Sequence, residues 1–429
     1  MAGCSRIVQF SPVCAKVVAV SAIVATVVCA AEIPIVGSGG LYGDNVTVER
    51  FVEAREAGLT GLRYEARDAE DAIKALDVAR AAGLKLMLLS RVMRGTPAEA
   101  EAFVKAVKDH PALGWYVLVD EPRVQTFVAH GVRMAEIQKI DPLHHVFVNW
   151  YGRVHRRHEK WYGEGVTTYE EYTRRSLSEM PLTALSFDQY PIMDPGVFPK
   201  QPFRPASGPC LIATNWYHTL ETVSSLARGK GIPFWAYSLS RTLRHQPGHD
   251  YPVPTVAHMK LQHYSNLAYG AQGLLYYSYS LSPIKTRNMS HACPLDTKGR
   301  RTTVYDRMRE TNRDLSARLP VFAGCRVEKV RHTGVEVPLG TVRLESGDLP
   351  PFVRSLDTPD GGAVVSHIFN GEREYIVVVN RSPDQELTLN VSLAPGTRRV
   401  LKDGSMAEAS KWNGEYWMDP GEAEIFTAP

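Results

Sequence analysis

Cysteine is scarce in this chain and ill placed for a disulfide framework. Six occur in 429 residues. Cys4, Cys14 and Cys29 crowd the first 31 positions, and Cys210, Cys293 and Cys325 are all that follow. An odd, scattered set excludes a bridge-stapled scaffold, although one bridge among the last three stays open. No CxxC spacing is present, so no structural metal is expected, nor any other cofactor. A surplus of one charge is missing too. Lys and Arg number 49 against 46 Asp and Glu, a formal net charge of +3, which argues against nucleic-acid and membrane-surface partners. Ser238 and Ser240 lack the GxSxG elbow of a serine hydrolase. Val36-Gly-Ser-Gly-Gly40 lacks the GxGxxG spacing of a dinucleotide turn and reads as a loop.

A long apolar run occurs once. Arg6 and Lys16 precede an uncharged stretch from Val17 that ends on the small residues Cys29, Ala30 and Ala31. A basic region, an apolar core and a small-residue cleavage site describe a secretory signal over residues 1–31, hence a secreted or periplasmic protein. The run falls short of the about 20 residues of a spanning helix, and no membrane association is expected beyond it. An uncleaved anchor is the rival reading.

What the remainder does have is alternation. Eight β-rich runs recur: Ile33–Gly40, Gly61–Ala66, Leu84–Val92, Leu113–Glu121, His145–Tyr151, Ala184–Ile192, Ile232–Ser240 and Gly273–Ser280. Amphipathic helical stretches separate them, such as Ala69–Ala82 and Pro97–Asp109, the latter with Thr96 as N-cap and Pro97 at its first position. Strands alternating with helices mean βαβ units, and eight units predict a closed (β/α)8 TIM barrel over 32–325, near the usual size of about 250 residues. From Arg326 helical periodicity stops. Short strand-like runs follow, punctuated by turns such as Asn370-Gly371, Pro395-Gly396 and Asn413-Gly414, which predicts a small all-β antiparallel sandwich over 326–429. The Pro-, Gly- and His-rich stretch His245–Pro254 reads as a flap after strand seven.

Barrels of this kind carry their chemistry at the C-terminal ends of the strands. There the sequence offers Arg63 and Glu65, Asp120-Glu121, Asn149-Trp150-Tyr151, Asp188-Gln189-Tyr190, Tyr237-Ser238, and Tyr277 with Tyr279. Carboxylates and amides bind sugar hydroxyls, and aromatic faces stack on pyranose rings. Cleaving a glycosidic bond needs a proton donor and a second group that supports an oxocarbenium-like transition state. Glu121 is assigned as the donor, with Asp120 and Asp188 as its companions. Arg63, Glu65, Asn149, Trp150, Tyr190, Tyr237, Tyr277 and Tyr279 are assigned to substrate binding. The bland alternatives are a Glu121–Arg63 salt bridge that merely closes the barrel, and tyrosines that are merely core. His144, His145, His155 and His158 lie among Arg156, Arg157 and Lys160 and read as a solvated surface rather than a metal site.

Gly114-Trp-Tyr-Val-Leu-Val-Asp-Glu-Pro122 resembles the fourth strand of clan A glycoside hydrolases, including relatives of the family 42 β-galactosidases. Ser186-Phe-Asp-Gln-Tyr-Pro191, Ile232-Pro-Phe-Trp-Ala-Tyr237 and Tyr269-Gly-Ala-Gln-Gly273 resemble their sixth, seventh and eighth strands. The resemblance implies a glycosidase acting on an oligo- or polysaccharide. Two departures stand out: Asp120 replaces the Asn that precedes the family's acid/base Glu, and Tyr237-Ser-Leu-Ser240 carries no nucleophilic Glu. The Asp-Glu pair also resembles that of family 20 hexosaminidases, which implies that Asp120 orients a substrate acetamido group while Glu121 protonates. A barrel that binds carbohydrate without turnover is the alternative, and a lyase using Tyr190 or Tyr237 as base is a third. The sugar, its anomer and the oligomeric state are not legible.

Overall fold

A computed structural model describes residues 32–39, 41–155, 157–193, 210–244, 250–281, 292–409 and 414–429. The expected leader over 1–31 and the first half of the expected flap lie outside these residues. Glu32–Pro429 forms one compact unit.

Eight parallel strands close into the expected barrel. They are β1 (Ile35–Gly37), β2 (Gly61–Ala66), β3 (Lys85–Ser90), β4 (Leu113–Asp120), β5 (Val146–Tyr151), β6 (Leu185–Asp188), β7 (Phe234–Leu239) and β8 (Leu274–Tyr277), and β8 pairs with β1. Helices α1 (Val48–Glu56), α2 (Ala69–Ala82), α3 (Pro97–Val107), α4 (Phe127–Ile140), the short α5 (His158–Tyr162), α6 (Tyr169–Glu179), α7 (Trp216–Lys230), α8 (Val256–Ala268) and α9 (Thr303–Phe322) accompany them. Thr96 does start α3, in a reciprocal capping box with Glu99.

Side chains from the strands and their starts fill the barrel: Val36, Met87, Val117, Phe147, Ala184, Trp235 and Leu275 share one interior cluster with Trp115. Trp115 and Trp235 meet edge to face at 5.0 Å. Such bulk needs a strand without a side chain opposite. A Cβ on Gly273 would stand 2.0 Å from the Trp235 ring, so only glycine fits there.

The C-terminal part is antiparallel, as expected. β9 (Arg326–His332), β11 (Ala363–Asn370), β12 (Arg373–Asn380), β14 (Arg398–Val400), β15 (Met406–Glu408) and β17 (Ala423–Thr427) form a six-stranded sheet. β10 (Val353–Asp357), β13 (Leu387–Leu393) and β16 (Glu415–Met418) form a second sheet of three. Ile376 and Val378 face the second sheet, in a core with Leu389 and Met418. Their neighbours Tyr375, Val377 and Val379 belong to the core of the barrel and its helices. The larger sheet is thus buried on both faces, which explains the unbroken apolar run Tyr375–Val379.

Candidate active site

The barrel's C-terminal rim gathers three acids. β4 delivers the first two through a register shift against β5 between Val117 and Val119, after which Asp120 pairs with Asn149. Strict alternation from Trp115 and Val117 would aim Val119 inward; the bulge aims Asp120 inward instead. Glu121 follows at φ 49°, a left-handed conformation uncommon for a non-glycine residue, with its N–H donating to the Asn149 carbonyl at 2.9 Å. β6 delivers the third acid, Asp188, level with Tyr151.

The three differ in surroundings. Asp120 is held from two sides, by Arg63 Nη2 at 3.1 Å and Asn149 Nδ2 at 2.9 Å. Asn149 is itself oriented by Ser186, whose Oγ donates to its Oδ1 at 2.9 Å. Burial opposes the Arg63 charge, but Tyr237 and Asp120 outweigh it and hold the guanidinium firmly protonated. Its Nη1 donates to the Tyr237 hydroxyl at 3.2 Å. Asp188 accepts from the Tyr190 hydroxyl at 3.3 Å through one oxygen. Its other oxygen is buried, and Asn149 and Glu121 add hydrogen bonds that favour the charged carboxylate. Burial, then the charges of Asp188 and Asp120, push Glu121 up to about 9. Burial and Asp120 push Asp188 up to about 7, against the pull of its hydrogen bonds. Like charges in contact do not both ionise, so the pair keeps a proton at neutral pH.

Aromatic rings wall the site. Tyr190 and Tyr277 lie parallel with centroids 5.7 Å apart, and Tyr251 meets Tyr190 edge-on at 6.0 Å. Gln189 anchors the loop between Asp188 and Tyr190: its Oε1 accepts from the Arg153 amide at 3.1 Å and its Nε2 donates to Asn215 at 2.7 Å.

Of the residues singled out from sequence, Arg63, Asp120, Glu121, Asn149, Asp188, Tyr190, Tyr237 and Tyr277 come together here. Glu65 is exposed, on the same face of β2 as Arg63, and acts on Tyr42 together with Arg63 and Tyr277. Trp150 and Tyr279 do not reach the mouth. Trp150 is fully buried behind the barrel wall and donates to Ser176 of α6 at 2.7 Å. Asn149 and Tyr151 point inward, so the residue between them must point out. Tyr279 lies beyond the regular end of β8, buried beside Glu53 and Tyr305. Tyr151, offered at the end of strand five but given no role, has its hydroxyl raised to about 12 by burial and by Glu121 and Asp188; the residues missed are Tyr251 and Tyr42. Alternation from Asn149 would have assigned Tyr151 to the mouth. Tyr42 sits on a loop and Tyr251 on the two-residue strand Asp250–Tyr251, where no periodicity points to them.

Among the described residues, Cys210, Cys293 and Cys325 form no disulfide with one another. The surface histidines are spoken for separately; His144 Nδ1 bonds Asp141 at 2.8 Å and His158 Nε2 bonds the Val154 carbonyl at 3.1 Å. Contrary to the absence of any metal spacing in the sequence, the described residues do assemble one group able to hold a metal, Cys210, His258 and Asp384, apart from the acids.

No protein-family model matches the chain, and no curated protein matches it in sequence. Solved structures do. A β-galactosidase from Bacillus circulans sp. alkalophilus is similar over 93% of this chain and 99% of its own, at 11% identity and a TM-score of 0.61. A catalytic mutant of a family 42 β-galactosidase from G. stearothermophilus is similar over 93% and 98%, at 9% identity and a TM-score of 0.59. A family 39 glycoside hydrolase from Bacteroides cellulosilyticus WH2 is similar over 93% and 81%, at 10% identity and a TM-score of 0.52. Against a β-galactosidase from the psychrophilic Marinomonas ef1 the chain spans 60% of the relative's length. With its closed eight-stranded barrel, its appended β domain and these likenesses, the chain has the (β/α)8 fold of the clan A glycoside hydrolases.

Proposed function

We propose that the protein is a glycoside hydrolase in which Glu121 is the general acid. The observation that carries this reading is the Glu121–Asp188 pair, which retains a proton at neutral pH at the mouth of the barrel. A donor must still hold its proton at the working pH to pass it to the leaving oxygen. As the glycosidic bond lengthens, Glu121 protonates that oxygen, and the remaining negative charge of the cluster supports the oxocarbenium-like sugar. The hydrogen-bond contact of Glu121 with Asp188 brings the two closer than the about 5–5.5 Å of a retaining pair. They therefore work from one side of the bond. Tyr237, bound to Arg63, stands where clan A enzymes carry their nucleophile, so the attacking group is an acetamido oxygen of the substrate itself. Both oxygens of Asp120 are engaged by Arg63 and Asn149, whereas Asp188, bonded by Tyr190 and Asn149, loses its contact with Glu121 once that proton leaves. Asp188 is thus the residue that orients the attacking group. The aromatic wall of Tyr190, Tyr277 and Tyr251 serves as the carbohydrate platform, and the enzyme acts outside the cytoplasm after removal of residues 1–31.

The test is Glu121→Gln against a panel of aryl glycosides that includes N-acetylhexosaminides. kcat/KM for poor leaving groups is expected to fall by about 10²–10⁴-fold; an unimpaired variant would overturn the assignment. One feature favours a second reading, a barrel that binds carbohydrate without cleaving it: β7 carries Tyr237 near its C-terminal end and no carboxylate. Binding without turnover across the panel would decide for it.

A further inference from the structure

Away from the acids, three elements converge on one point. Cys210 immediately precedes the short strand Leu211–Ile212, which pairs antiparallel with Ile192–Met193 after the Asp188–Tyr190 loop. His258 lies in the first turn of α8, and Asp384 in the turn between β12 and β13. Their ligand atoms all lie within 4.8 Å of one another, with Cys210 and His258 buried. Cys210 Sγ is 3.8 Å from His258 Nε2, and Asp384 Oδ1 is 3.8 Å from that same nitrogen.

The shared nitrogen decides what the cluster can be. In a thiol–imidazole–carboxylate relay the base uses its two ring nitrogens, one for the nucleophile and one for the acid. Here both partners address Nε2, which has either one lone pair or one proton to offer. Moreover, 3.8 Å from nitrogen to carboxylate oxygen is too long for a hydrogen bond. It suits two ligands of a common ion. With Zn–S about 2.3 Å and Zn–N about 2.0–2.1 Å, a tetrahedral angle separates sulfur from nitrogen by about 3.5 Å. The observed spacing closes on that with a shift of a few tenths of an ångström.

The carboxylate is already aimed. The Cys210 amide donates to Asp384 Oδ2, leaving Oδ1 toward His258. The turn bearing Asp384 is braced by Asn380, whose Nδ2 donates to the Gln385 and Asp419 carbonyls at 2.8 and 3.1 Å. Ligands held by such outer bonds are a mark of a prepared metal site. A thiolate, an imidazole and a carboxylate together suit a borderline-soft ion in preference to Mg²⁺ or Ca²⁺.

We propose that Cys210, His258 and Asp384 bind one zinc ion, with a fourth position open to water on the side of the partly exposed Asp384. The ion ties the segment behind the Tyr190 wall to α8 and to the C-terminal β domain. The test uses the whole protein stripped with a chelator. Titration with Zn²⁺ followed by calorimetry should give one ion per chain, and Co²⁺ should give a thiolate-to-cobalt charge-transfer band. Cys210→Ser should abolish the band and Asp384→Asn should weaken Zn²⁺ binding by about tenfold or more, both with unchanged far-UV circular dichroism. Asp384 is on an exposed turn, so its variant reports even if Cys210→Ser folds poorly. Absence of saturable binding, or binding unaltered in the variants, would overturn the site.

Discussion

At the scale of single residues, Glu121 combines two costs that a structural acid would avoid. Its backbone is left-handed, and its carboxyl is packed against two others. Unfolding relieves both. In the unfolded chain Glu121 ionises near its ordinary 4.5, while in the fold it holds its proton to about 9. The unfolded state therefore binds fewer protons across that window, and stability falls as pH rises through it. Glu121→Gln removes this dependence: its melting temperature should drop less than the wild type's between about pH 5 and pH 9, as scanning calorimetry would show. Parallel pH profiles would mean that Glu121 ionises normally. The acids were legible in sequence because they end apolar runs. Their division of labour was not, because it depends on which neighbour claims which oxygen. Trp150 was misplaced for a simpler reason: it was read as part of a cluster in sequence, whereas a strand shows successive residues to opposite faces.

At the scale of elements, helix packing turns on small residues. Gly131 sits in the middle of α4, where alanine would ordinarily add about 1 kcal/mol of helix stability. A Cβ there would stand 2.3 Å from the Glu179 carbonyl oxygen at the end of α6. That neighbour is backbone and cannot swing aside, so overpacking costing about 1–3 kcal/mol outweighs the propensity gain. Gly131→Ala is expected to lower the denaturation midpoint, and a higher one would show that α6 yields. The barrel strands were legible from their short apolar runs. The surroundings of helix α8 were not. Every residue from His258 to Ala268 is buried, many of them polar, so no apolar stripe marks a buried face. Tertiary partners satisfy these groups instead: Gln262 binds the Leu239 amide at 2.8 Å and His263 lies 3.2 Å from Ser238 Oγ.

At the scale of the whole molecule, barrel and β domain meet through buried charge. Glu422 accepts from Lys260 at 2.9 Å and from Arg318 at 3.2 Å, with Lys402 at 3.0 Å. Burial pushes this carboxyl up, but Lys260, Lys402 and Arg318 outweigh it and bring it to about 2. Its contribution is complete above the unfolded value of 4.5 and is lost as pH falls from there toward 2. Glu422→Gln leaves Lys260 and Arg318 with one fewer anion, a loss of roughly 3–5 kcal/mol. Chemical denaturation at neutral pH should show it, and the deficit should shrink in acid. An undiminished midpoint would mean that Asp314, the other acid beside Lys260, suffices. This junction was invisible in sequence, since its members are scattered from Lys260 to Glu422.

The six-stranded sheet has two wet-averse faces and α8 has no free side, so neither half offers a surface suited to solvent where they meet. Ser366 even reaches across to the Ala268 carbonyl at 2.6 Å. Evolution could not trade this β domain for another as a detachable module without redesigning the barrel's penultimate helix. A chain ending after Phe322 would expose the apolar side of that helix layer and is expected to precipitate rather than fold.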